Sequence, residues 1–163
     1  MIHEGMLKAN SLKGKTIIVT GGGTGLGKAM GTYFLELGAN LVITSRKMDV
    51  LEKTASEMEA ATGGKVLPVA CDVRDYEAVE AVINAAETEF GSVNGLLNNA
   101  AGNFVSPTER LSANAFSTVI DIVFNSLFKL LKSILPFNSA IVCSIKVFTI
   151  LANPSTNCGS AFG

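Results

Sequence analysis

The chain has 163 residues, 48% hydrophobic and 17% charged, a composition that supports one domain with a substantial core and excludes disorder throughout. A formal net charge of −1 gives no general attraction to nucleic acid or to an anionic membrane surface. No apolar run approaches the ~18 residues needed to span a bilayer. Three cysteines, Cys71, Cys143 and Cys158, are odd in number and lack CxxC spacing, which fits a reducing compartment. The single histidine, His3, lies in the leader and argues against a metal site. Met1 to Lys15 resembles neither a signal peptide nor an Arg-rich transit peptide, so the expected location is the cytoplasm, with mitochondrion or peroxisome as eukaryotic alternatives.

From Lys15 to about Asn99, short β-branched runs alternate with longer amphipathic ones, the pattern of βαβ units in a parallel sheet. The first strand is predicted over Thr16 to Thr20, and a helix over about Leu26 to Leu37 that stops at Gly38. The second strand is Asn40 to Thr44, followed by a helix from about Met48 to Ala61 that ends at Gly63-Gly64. Lys65 to Ala70 reads as the third strand, and about Tyr76 to Phe90 as a helix closed by Gly91. Gly95 to Asn98 is the fourth strand, a further helix starts near Ser112, and Ala140 to Ile145 is a candidate fifth strand. The expected class is α/β, a Rossmann-type doubly wound parallel sheet in order 3-2-1-4 with an optional fifth strand, incomplete toward its C-terminal side.

A change of composition divides the chain after Asp121. Residues 122–163 hold no Asp or Glu, three Lys and five of the nine Phe. Natural surfaces usually intersperse both signs of charge. The expected division is therefore a nucleotide-binding domain over residues 11–123 and an atypical, acid-free apolar tail over residues 124–163.

The most informative stretch is TGGGTGLG, Thr20 to Gly27, which follows the apolar run of the first strand and opens the first helix. Glycines there let the backbone approach phosphate oxygens, while the helix aims unpaired N–H groups and its positive dipole end at them. Gly21, Gly22, Gly23, Thr24, Gly25, Leu26 and Gly27 are thus candidates for wrapping a pyrophosphate. At the end of the second strand stands Thr44-Ser45-Arg46-Lys47 rather than an acid, which favours NADP, because Arg46 can grip a 2′-phosphate that Asp or Glu would repel. Asp72, just past the third strand, lies where ligands of open α/β sheets bind and could accept from an adenine amino group or cap the next helix. Asn103, in a Gly-Asn-Phe turn, could place a donor amide against a carbonyl. Arg74 reads equally as a surface helix-start residue, Phe104 more readily as core than as a ligand contact, Ser112 first as an N-cap, and Asn98 as a tie between strand edges.

TGGGTGLG, SRKMDVL at 45–51, CDVRD at 71–75 and NNAAGNF at 98–104 resemble the short-chain dehydrogenase/reductase family. SRKMDVL, NNAAGNF, SPTERLS at 106–112 and DIV at 121–123 are similar more narrowly to the 2,4-dienoyl-CoA reductases, which reduce conjugated dienoyl thioesters with NADPH. The resemblance covers about residues 11–123. It implies that Gly21 to Leu26 wrap the pyrophosphate, that Arg46 takes the 2′-phosphate, and that Asp72 and Val73 face adenine. It also implies that Asn99, Ala100 and Gly102 line the nucleotide cleft. Arg74, Phe104 and Ser112 match acyl-CoA contacts and Asn103 an orienting group for the thioester. The complete family member is expected to form dimers or tetramers.

The departure from the family is equally definite. The superfamily uses a tyrosine acid and a supporting lysine in a YxxxK pattern after the fifth strand, and no YxxxK occurs here; the only tyrosines are Tyr33 and Tyr76. Losing a positioned acid lowers rate by ~10²–10⁴-fold. The expectation is a reductase fragment, inactive alone. The alternatives are an alcohol or ketone dehydrogenase of the same superfamily and a non-catalytic nucleotide-binding module.

Overall fold

The computed structural model describes residues 7–100, 114, 117, 121 and 141–143. Its elements are β1 (Thr16–Thr20), α1 (Gly25–Glu36), β2 (Asn40–Ser45), α2 (Met48–Thr62), β3 (Val66–Ala70), α3 (Tyr76–Phe90), β4 (Val93–Asn98) and β5 (Ile141–Cys143). The sheet runs β3-β2-β1-β4-β5 with every pairing parallel, so the expected order holds and the optional fifth strand is present against β4.

The strands read as continuous apolar runs because both faces of a parallel sheet are covered. Alternation along β1 and β2 assigns the residues to the two faces. Ile17, Val19, Leu41 and Ile43 join Leu35 of α1 and Leu51, Ala55 and Met58 of α2 on one side. Ile18 and Val42 join Val79, Val82, Ile83 and Ala86 of α3 on the other. A single polar residue breaks the α2 stripe: Thr54, which is buried.

Most element boundaries fall within one residue of the sequence expectation, and α3 starts and ends where its periodicity says. β4 is the exception that teaches something, since it begins at Val93 rather than Gly95. Thr16 pairs with Val93 and Ile17 with Gly95, so Asn94 is an extra residue in a bulge, and its Oδ1 accepts from the Thr16 N–H at 3.0 Å. Gly91-Ser92-Val93-Asn94-Gly95 looks like a turn in sequence because this side chain supplies a bond that the ladder would otherwise make. Asn114 and Ser117 are helical, as the start proposed near Ser112 requires, while Ser112 itself lies outside the described residues. Apart from β5, the tail assigned to residues 124–163 also lies outside them.

Parallel register brings four loops to one edge. Thr20 stands level with Thr44 and Asn98, and Ser45 with Ala70, so the segments leaving β1, β2, β3 and β4 emerge together. The chain moves outward from β1 to β3 and then returns to place β4 on the other side, which makes the β1/β4 boundary the switch point where such sheets bind ligands.

Candidate nucleotide site

Side-chain donors draw the glycine loop's carbonyls inward. Asn99 Nδ2 donates to Thr20 O at 3.1 Å and to Gly21 O at 3.3 Å. Thr54 Oγ1 donates to Gly23 O at 2.8 Å from the buried face of α2. Thr20 Oγ1 donates to Asn98 Oδ1 at 3.0 Å and accepts from the main-chain N–H groups of Asn99 and Ala100 at 3.0 and 2.9 Å. Gly21 N–H donates to Thr44 O at 2.7 Å. With the Thr20, Gly21 and Gly23 oxygens engaged on the protein side, the opposite side of the loop suits an anion.

Geometry requires glycine at Gly21 and at Gly27 for different reasons. Gly21 has φ +68°, a left-handed conformation that side chains disfavour. A Cβ on Gly27 would lie 2.3 Å from Gly21 O and 2.7 Å from Asn99 Nδ2, so only glycine lets the first turn of α1 pack under the loop. At the mouth, Thr24, Gly25 and Leu26 are exposed. Thr24 precedes α1 in extended conformation and makes no side-chain cap bond, and the first turn of α1 holds no acid. The positive end of the helix dipole is therefore left for another anion. Lys28 beside it is held by an ion pair with Glu57 of α2, which lowers the Glu57 pKa, first through their hydrogen bond. A groove of about 440 Å³ between α1 and α2 adjoins the loop, lined in part by Gly23, Thr24, Gly25 and Lys53.

Beyond β2, Arg46 is exposed, and its charge reaches Asp72 beyond β3. Asp72 is held to about 2, first by its side-chain hydrogen bonds with Arg74, against the opposing effect of burial. Of the two roles open to Asp72, the structure gives helix capping to a neighbour. Asp75 is the N-cap of α3 and accepts from the Glu77 and Ala78 N–H groups at 3.0 and 3.5 Å. Val73 is buried, and so is Cys71, whose thiol is pushed up first by burial and stays protonated at neutral pH.

The sequence-predicted residues from Gly21 to Gly27, with Arg46, Asp72, Val73, Arg74, Asn99 and Ala100, are thus gathered on the segments at one sheet edge. Gly102, Asn103, Phe104 and Ser112 lie outside the described residues. Sequence reasoning missed Thr54, whose signal was a polar residue inside the apolar stripe Leu51, Ala55, Met58. It also passed over Asn98 as a ligand-site residue and read it as a tie between strand edges, the part its buried bond to Thr20 plays.

A family model described as short chain dehydrogenase matches residues 15–145. The chain belongs to the short-chain dehydrogenase family. That family consists of oxidoreductases that bind NAD or NADP. Among curated relatives, an uncharacterized oxidoreductase of Caenorhabditis elegans is 52% identical over 118 residues, which is 72% of this chain and 38% of the relative. A probable 2,4-dienoyl-CoA reductase of the same organism is 48% identical over 119 residues, again 72% of this chain and 38% of the relative. The chain therefore spans about 38% of the length of these relatives. Among solved structures, a citronellol catabolism dehydrogenase of Pseudomonas aeruginosa PAO1 superposes with a TM-score of 0.79 at 32% identity, over 87% of this chain and 59% of that one. No helix among the described residues is long and apolar enough to cross a membrane.

Proposed function

We propose that this chain is the nucleotide-binding part of an NADPH-dependent oxidoreductase that reduces 2,4-dienoyl-CoA thioesters in fatty-acid β-oxidation. The observation that carries the cofactor reading is the junction of an uncapped α1 with a glycine loop whose carbonyls are drawn inward by Asn99 and Thr54. A pyrophosphate at that loop would meet main-chain N–H groups and the helix dipole, with no acid in the first turn to oppose it. Arg46 is the group for the 2′-phosphate, and Asp72 and Val73 form the adenine end of the site. Asn99, Ala100 and Gly102 line the cleft, with Asn99 acting by holding the loop.

When bound, NADPH supplies the hydride for the far end of the conjugated dienoyl system. Asn103 orients the thioester carbonyl and stabilises charge developing on its oxygen, while Arg74, Phe104 and Ser112 contact the acyl-CoA. The dienoyl-CoA substrate class is supported by the name of the 48% identical relative and by SRKMDVL, NNAAGNF and SPTERLS in this chain. Protonation in the family requires a tyrosine, and Tyr33 and Tyr76 stand in α1 and at the start of α3, remote in sequence from that position. These 163 residues are accordingly proposed to bind nucleotide without turnover, as a nucleotide-binding domain over residues 11–123 followed by an atypical, acid-free apolar tail over residues 124–163. The complete protein would act as a dimer or tetramer in the cytoplasm, or in a mitochondrion or peroxisome.

The resemblance in structure to a citronellol catabolism dehydrogenase favours a second reading, an alcohol or ketone dehydrogenase. Assaying a complete homologue against dienoyl-CoA and alcohol panels separates the two readings; turnover of alcohols with no activity on dienoyl-CoA would reject the first. For the cofactor, Arg46→Ala is expected to weaken NADPH by about 10- to 100-fold, the value of one or two charge-assisted bonds, with NADH little changed. Equal loss of both nucleotides would reject NADP selection by Arg46.

A further inference from the structure

Among the described residues β3 is the outermost strand of the sheet on its side, paired only with β2. The parallel register fixes which of its main-chain groups face that partner. Leu41 stands level with Val66 and Ser45 with Ala70. Leu41 N–H donates to Lys65 O at 3.0 Å, and Cys71 N–H donates to Ser45 O at 2.8 Å. Main-chain groups of alternate residues turn to the same neighbour in such a ladder. Leu67 and Val69 therefore bond β2 between those two ends, while Val66, Pro68 and Ala70 turn their main-chain groups away from the sheet.

An outer edge of this kind is a template for pairing with another chain. Here two of its three outward positions have no donor to offer. Val66 N–H already donates to Glu59 Oε1 at 2.9 Å. Pro68 carries no N–H, and it stands on the outward side, where a proline interrupts no bond to the neighbouring strand. Only Ala70 keeps an outward N–H, and Ala70 is exposed. The turn before β3 holds Glu59 in place for this contact. Glu59 O accepts from Gly63 N–H at 2.8 Å at the left-handed end of α2, and Gly64 N–H donates to Thr62 Oγ1 at 3.1 Å. The last turn of α2 is thus bonded to the segment that leads into the strand, with the Glu59 carboxylate over the strand's first residue.

We infer that Glu59 and Pro68 together close the β3 edge to strand addition, so that a second copy of this chain cannot extend the sheet on that side. An incoming strand needs donors at positions 66, 68 and 70 and finds one. It also meets the carboxylate charge that Glu59 sets at the start of the edge. The closure leaves uncovered the segment after Ala70, which carries Asp72 and Val73.

The test measures sedimentation velocity and amide hydrogen exchange at low and high concentration of the 163-residue chain. It compares the unmodified protein with Glu59→Gln, Pro68→Val and the double variant Glu59→Ala/Pro68→Val, each confirmed as folded by circular dichroism. Exchange within β3 reads this edge alone, so association through any other surface leaves it unmoved. In the unmodified chain and in Glu59→Gln, which keeps an acceptor for Val66 N–H, exchange along β3 is expected to be independent of concentration. In the double variant, higher concentration should slow exchange at positions 66, 68 and 70 about tenfold, the worth of one new hydrogen bond, and larger species should sediment. Pro68→Val, which restores one donor, should show a smaller slowing, and it carries the test by itself if the double variant does not fold. Exchange along β3 that is independent of concentration in the folded variants overturns the proposal, whether or not they associate elsewhere. Concentration-dependent protection of Ala70 N–H in the unmodified chain overturns it as well.

Discussion

The N-termini of α1 and α3 reach the same carboxyl edge of the sheet from opposite faces, and their caps differ. At α3, Asp75 fills the end with its own carboxylate, accepting from Glu77 and Ala78, and Glu77 places a further acid in the first turn. At α1, Thr24 makes no cap bond, the first turn has no acid, and glycines flank the opening. A helix that caps itself contributes about 1 kcal/mol to stability, whereas one left open forgoes that contribution and keeps its N–H groups for a ligand. The same structural element is thus closed for folding in one place and open for binding in the other.

The largest perturbation of this contrast is Gly27→Ala. Its methyl would meet the Gly21 carbonyl oxygen and Asn99 Nδ2, backbone and buried amide that have little room to yield. A loss of roughly 3 kcal/mol in chemical denaturation is expected, together with loss of nucleotide binding. A variant with unchanged midpoint would show that α1 does not pack under the loop as described.

Next comes Asn99→Ala, which removes the donor shared by Thr20 O and Gly21 O. About 1–2 kcal/mol of stability should be lost, and NADPH affinity with it, since two loop carbonyls are released. Stability lost with unchanged affinity would assign Asn99 to the fold alone.

Asp75→Ala makes the opposite comparison. It should lower stability by about 1 kcal/mol while leaving nucleotide affinity unchanged, and a change in affinity would mean that the two helix ends are not independent.

The smallest effect is in the pH dependence of stability. Asp72 titrates near 2 in the folded chain against 3.8 ordinarily, so its contribution is complete above about pH 4 and lost as pH falls through about 2. For so exposed a pair it should be under about 1 kcal/mol. Comparing acid denaturation of the unmodified chain with that of Arg74→Ala measures it, and the difference between them should shrink below pH 4.

The elements were legible where residues act locally. Thr16–Thr20 and Tyr76–Phe90 follow directly from β-branched runs and helical periodicity, and TGGGTGLG announces its turn through its glycines. What escaped depended on partners distant in sequence. The bulge at Asn94 exists because its amide bonds Thr16, 78 positions away, and Thr54 matters because Gly23 lies above it. Asp72 stood open as a helix cap in the sequence, and only the structure shows that Asp75 takes that role while Asp72 pairs with Arg74. The proposal for Arg46 needs one side chain alone, because it rests on the absence of an acid and the presence of a cation at the end of β2.

The β1–α1 junction of this chain is proposed to receive a dinucleotide pyrophosphate. Calorimetric titration of the purified 163-residue protein with NADPH, with circular dichroism confirming that it is folded, tests this most directly. Saturable one-to-one binding with a raised melting temperature is expected, with weaker binding of NADH. A folded chain that shows neither heat of binding nor a shift in melting would contradict it.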